Sequence, residues 1–136
     1  MANALYGKGR EGFLDGSIDW DTNTIKVFLI DTSAYAVTID TDNDLADIAT
    51  AAAFIATSPA LASKTVTLGV ADAADATLAS VSGSVSEALV IAQSSGTPAN
   101  DRLIAYIDSA TGLPVTPNGG NIVIQWDSGT SKIFKL

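Results

Sequence analysis

Short runs of β-branched and apolar residues alternate along this chain with clusters of Gly, Pro, Asn, Asp and Ser. That punctuation favours short strands joined by tight turns over long helices. The clearest run covers residues 24–31, bounded by Asn23 and Asp31. Its unbroken apolar stretch from Val27 to Ile30 predicts a strand buried on both faces. Residues 35–39 and 64–68 alternate as strands should, the latter broken by Gly69. A turn at residues 72–75 is expected to lead into a strand over 76–81. Residues 87–92 and 102–108 flank the loop 94–101 and predict a hairpin. Pro114 and Pro117 keep residues 111–120 out of any central strand. Residues 121–127 and 132–136 complete the set.

One helix is expected, near residues 44–56. Leu45, Ile48, Ala49, Ala52 and Ile55 recur at helical spacing, and Ser58-Pro59 supplies the stop. Asp42, Asn43 or Asp44 is placed to cap its start. The fold class is therefore mainly β: an antiparallel β-sandwich or barrel of about seven or eight short strands, with turns about every eight to twelve residues.

A chain of 136 residues fits one domain. Residues 1–20 differ from the rest and are read as an N-terminal arm or turn segment, with 21–136 forming a single β domain. Gly7, Gly9, Gly12 and Gly16 each weaken a helix there by about 1 kcal/mol, which leaves room for one short turn around residues 10–14. Leu5, Tyr6, Phe13 and Leu14 still need burial. Either they pack on the domain's own core or they anchor the arm on a neighbouring subunit.

The chain contains no histidine and no cysteine. Those absences remove the commonest general base, the commonest zinc ligands, disulfides, and any Ser-His-Asp or Cys-His arrangement. No catalytic residues and no cofactor are expected, and the chain reads as non-enzymatic. Fifteen acidic residues against seven basic give a net charge of -8, which disfavours nucleic acid and anionic lipid as partners. No apolar run approaches a membrane span, and the first residues lack a signal-peptide layout.

Three local patterns invite a chemical reading. Asp40, Asp42 and Asp44 alternate like the opening of a calcium loop, but Leu45 and Ala51 stand where an EF-hand needs Gly and Glu. They remain weak metal candidates beside a reading as a solvated turn and helix cap. Asp19, Asp21 and Asn23 fail in the same way, with Thr24 and Ile30 at those places. Gly7, Gly9 and Gly12 match a Gly-x-Gly-x-x-Gly string without the preceding strand that a dinucleotide site requires. Trp20 and Trp126 are read as core aromatics, or alternatively as subunit or carbohydrate contacts together with the loop 94–101.

The opening, Ala4-Leu5-Tyr6-Gly7-Lys8-Gly9-Arg10-Glu11-Gly12-Phe13-Leu14-Asp15-Gly16, resembles the start of small virion structural proteins of tailed bacteriophages. The ending resembles them too, through Leu103-Ile104-Ala105-Tyr106-Ile107-Asp108-Ser109-Ala110-Thr111-Gly112-Leu113-Pro114-Val115-Thr116-Pro117-Asn118-Gly119-Gly120, Ile122-Val123-Ile124-Gln125-Trp126-Asp127 and Lys132-Ile133-Phe134-Lys135-Leu136. The resemblance implies a protein carried in many copies on a virion, with other virion proteins, the major capsid protein first, and copies of itself as partners. It implies a head decoration or cement protein that bridges capsid subunits, or alternatively a tail or connector component. A surface carbohydrate- or receptor-binding module is a further reading. Leu5, Tyr6, Lys8, Arg10, Phe13, Leu14 and Trp20 are the expected subunit-interface residues.

Overall fold

A computed structural model describes residues 3–48 and 51–136 of the chain. The fold is mainly β, with ten strands and one α-helix among these residues. Five strands form the main antiparallel sheet: β1 (Ala4–Leu5), β2 (Ile25–Ile30), β3 (Phe54–Thr57), β7 (Ala88–Gln93) and β8 (Leu103–Ile107), in the order β1-β8-β7-β2-β3. A small three-stranded sheet joins β4 (Thr65–Thr67), β5 (Val70–Asp72) and β10 (Phe134–Lys135), in the order β10-β5-β4. The pair β6 (Ala76–Leu78) and β9 (Ile122–Ile124) forms a third. All pairings are antiparallel, and the sheets do not close into a barrel.

Strand β2 explains why its sequence is apolar without a break. Val27 and Leu29 face one core cluster, with Leu89 and Ile91 of β7, Ile104, and residues of the smaller sheets such as Ala71, Leu78 and Ile124. Phe28 and Ile30 face a second cluster, with Val90, Leu103, Tyr106, Tyr6, Tyr35 and Leu45. Both faces of the central sheet are thus covered, and each fully buried aliphatic side chain stabilises the fold by roughly 1.5–3 kcal/mol. The expected hairpin is the β7–β8 pair, with Val90 opposite Tyr106 and Ile91 opposite Ala105.

The helix lies elsewhere than expected. Residues 44–56 form two short 3-10 turns, Leu45–Asp47 and Ala51–Ala53, leading into β3, while residues 49 and 50 lie outside the described set. Tertiary pairing overrides the helical spacing here: Leu45 N–H donates to Asp101 O, Asp31 N–H donates to Ala53 O, and β3 pairs with β2. Residues 35–39 run without a strand partner, yet Tyr35, Val37 and Ile39 pack on the second cluster.

The α-helix, α1, spans Gly7–Asp15, inside the segment expected to be an arm. Its glycines let it lie directly on β8. A methyl group at Gly9 would sit 2.8 Å from Leu103 O and 2.9 Å from Ile104 Cα, and one at Gly12 2.5 Å from the Ile18 side chain. Gly16 ends the helix in the left-handed region at φ 78°. Residues of this N-terminal segment are built into the same sheet and core as the rest. Strand β1 pairs with β8, Tyr6 N–H donates to Ile104 O, and Ile18 and Trp20 join the first core cluster.

Candidate docking surface

The expected interface residues scatter once folded. Tyr6 is fully buried, and its hydroxyl lies 3.0 Å from the Tyr35 hydroxyl. Trp20 is also buried; its ring meets Phe134 edge-on at 5.2 Å and its indole N–H donates to Asp72 O. Leu5 and Phe13 are half-buried against the same core. Lys8 pairs with Glu11 at 2.7 Å, and Arg10 with Asp40 at 3.4 Å. Only Leu14, 88 % exposed, is an apolar side chain left to solvent in this set. Trp126 is half-buried, and its indole N–H donates to Ala74 O. Neither tryptophan presents the exposed ring that carbohydrate stacking uses.

The acidic trio does not converge. Asp40 reaches Arg10; Asp42 accepts from the Tyr35 hydroxyl at 2.6 Å and from Thr38 N–H at 2.8 Å; Asp44 precedes the 3-10 turn whose Asp47 carboxylate accepts its N–H. Burial and the nearby Asp47 charge push the Asp44 carboxyl up. Among the described residues no group of three or more potential ligands is arranged to hold a metal ion.

A different surface stands out, on the small sheet. Val66 of β4 lies opposite Ala71 of β5, and Phe134 of β10 lies opposite the same Ala71. Directly opposed residues share a face, so the three side chains form one row. With Phe13, Ile18, Trp20 and Leu136 they line an open, mainly apolar cleft of about 380 Å³. Phe13 and Phe134 pack with ring centroids 5.6 Å apart, which ties α1 to the floor of the cleft.

Beside the cleft, β4 and β5 are joined by the two-residue turn Leu68-Gly69, with φ 51° and 80°. Positive φ at both central residues is the hairpin turn that normally takes Asn-Gly. Leucine there adopts a left-handed conformation that costs an L-residue roughly 1–2 kcal/mol. Its side chain is 93 % exposed. The other non-glycine residues at positive φ among those described are Ser63, Ser80 and Lys132, all polar. Leu68 thus combines backbone strain with an apolar group held in water, and strain of that kind persists where function uses it. Gly69 is favoured on its own account, by its φ of 80° and because a Cβ there would crowd Leu136 O at 3.2 Å.

Among the described residues, no strand pairs with the outer edge of β4. Ala71 O accepts from Ile133 N–H on the β10 side, and Gly69 O accepts from Leu136 N–H. Ala71 therefore turns its backbone groups toward β10, and Val66 opposite it turns its N–H and C=O away from β5, to the free edge. Asp19 and Asp21 line the same cleft. The interaction between the two neighbouring carboxyls pushes Asp21 up and holds Asp19 low.

Sequence reasoning missed Val66, Leu68 and Leu136. The available signal was a leucine beside Gly69 between two β-prone runs, where a polar turn residue belongs. No known family model matches the sequence, and no curated protein is similar to it.

Proposed function

We propose that the chain is a non-enzymatic structural protein of a tailed-phage virion, a capsid decoration or cement protein that docks on major capsid subunits. The observation that carries the docking half of this reading is the exposed apolar set Val66, Leu68 and Leu136 around the cleft floored by Trp20 and Phe134. An apolar patch presented by a strained turn suits attachment to another protein. The lack of histidine and cysteine supports a role without catalysis. The virion half rests on the resemblance of the two terminal segments. A net charge of -8 suits a protein kept soluble at high copy number before assembly.

Quantitative protein measurement on purified particles tests the reading. A copy number that scales with the capsid subunits supports decoration of the head. A count matching a single ring moves the chain to the tail or connector, and absence from the particle removes the virion role altogether.

A further inference from the structure

The apolar row Val66–Ala71–Phe134 stops at Val66 because no strand among the described residues lies beyond β4. Val66 is consequently 53 % exposed at the mouth of the cleft, and its backbone N–H and C=O face outward. All three β4 residues are β-branched, so the segment already favours the extended conformation. Edges of this kind are usually blunted by proline, by an inward-pointing charge or by a covering loop. Here β4 contains neither proline nor charge, and the nearest lysine, Lys64, bends back so that its Nζ donates to Leu61 O at 3.4 Å.

We propose that the free edge of β4 accepts an extended segment of a partner protein as an additional strand, and that this segment is apolar at its centre and basic on either side. The occupant follows from geometry and charge. A strand beside β4 places one side chain directly opposite Val66, extending the row over the cleft of Trp20, Ile18 and Leu136. An aliphatic side chain fits that position. Residues two places away project to the same face, where Asp19 and Asp21 line the cleft; the Lys64 charge acts on Asp21 from a distance, but neither carboxylate forms a salt bridge among the described residues. Lysine or arginine there meets opposite charge, whereas a second copy of this acidic chain brings net repulsion. Main-chain bonds to Val66 supply attachment, and the cleft supplies selectivity. Leu68, beside the same edge, adds an apolar contact at the end of the new strand.

This inference deepens the docking reading and rests on it, but its test does not need the particle. The isotope-labelled full chain is titrated with the blocked peptide Thr-Lys-Thr-Leu-Thr-Lys-Thr and followed by NMR. The expected result is movement of the Val66 amide and the Trp20 indole signal with the Trp126 indole unmoved, and weaker binding of the version with Glu for both Lys. Val66→Pro, which removes the outward N–H at an edge that tolerates proline, abolishes the response. Val66→Lys, at an exposed position that does not threaten folding, abolishes it by charge. Shifts confined to other surfaces, no shifts, equal binding of the acidic peptide, or undiminished binding by both variants overturns the proposal. The particle count and the titration fail separately: absence from virions leaves the peptide result standing, and a silent titration leaves the copy number standing.

Discussion

Val66 faces Ala71 directly across β4 and β5, yet Val66 is 53 % exposed and Ala71 only 3 %. The difference is one strand. Ala71 has Val66 on one side and Phe134 on the other, while Val66 has solvent where a further neighbour would lie. The core of the small sheet therefore continues into an open apolar cleft, and the least favourable residue of the hairpin, Leu68, stands beside it.

Replacing Leu68 by Asn should stabilise the isolated protein. Asparagine tolerates the left-handed conformation that leucine adopts at φ 51°, so relief of roughly 1 kcal/mol is expected in denaturant unfolding. The same variant should attach less well to its partner. Stability gained together with attachment lost identifies Leu68 as held for docking.

Gly9→Ala and Gly12→Ala separate helix propensity from close approach. In an exposed helix each change stabilises by about 1 kcal/mol. At Gly9 the added methyl meets backbone atoms of β8 at 2.8–2.9 Å, so α1 must lift, and a net loss of about 1–3 kcal/mol is expected in thermal or denaturant unfolding. At Gly12 the clash is with the Cγ1 and Cδ1 atoms of Ile18, a side chain rather than backbone, and a smaller loss is expected. Equal effects at the two sites would show that the Gly9 approach is not what places the helix.

The buried chain from Tyr6 to Tyr35 to Asp42 sets an alkaline limit. Burial pushes both tyrosines above their usual value near 10, with the Asp42 bond adding to the rise at Tyr35, and burial also raises Tyr106. The folded state holds these phenolic protons more tightly than the unfolded chain does. Their contribution is thus fully present below about pH 10 and is lost as pH rises beyond it. Tyr35→Phe leaves the Tyr6 hydroxyl and the Asp42 carboxylate short of a partner and should cost about 1–3 kcal/mol at neutral pH. The Tyr6→Phe, Tyr35→Phe double variant should show a shallower alkaline decline in unfolding free energy measured against pH.

The mainly β architecture was legible where burial leaves an unambiguous pattern. Residues 27–30, 88–92 and 103–107 are apolar throughout because they lie at the centre of a sheet covered on both faces. Helix α1 was not legible, since glycine reads as a helix breaker when its reason is a β-strand at 2.8 Å. The alanine-rich stretch after Asp44 carried a helical period that pairing of β3 with β2 overrode. The docking surface was hidden for a related reason. Val66, Leu68 and Leu136 are far apart in sequence or unremarkable in composition, and only the β4–β5 turn and the arrival of β10 bring them to one end of the small sheet. Tyr6 and Trp20 looked like contact residues because aromatic side chains serve cores and interfaces alike.

The most direct test of the docking surface is hydroxyl-radical footprinting of the chain, free and on purified particles. Val66, Leu68 and Leu136 should react readily in the free protein and lose that reactivity on the particle, while Leu14 and Val123, exposed elsewhere, change far less. Unchanged reactivity at Leu68 and Val66 on the particle, with protection confined to other surfaces, would contradict it.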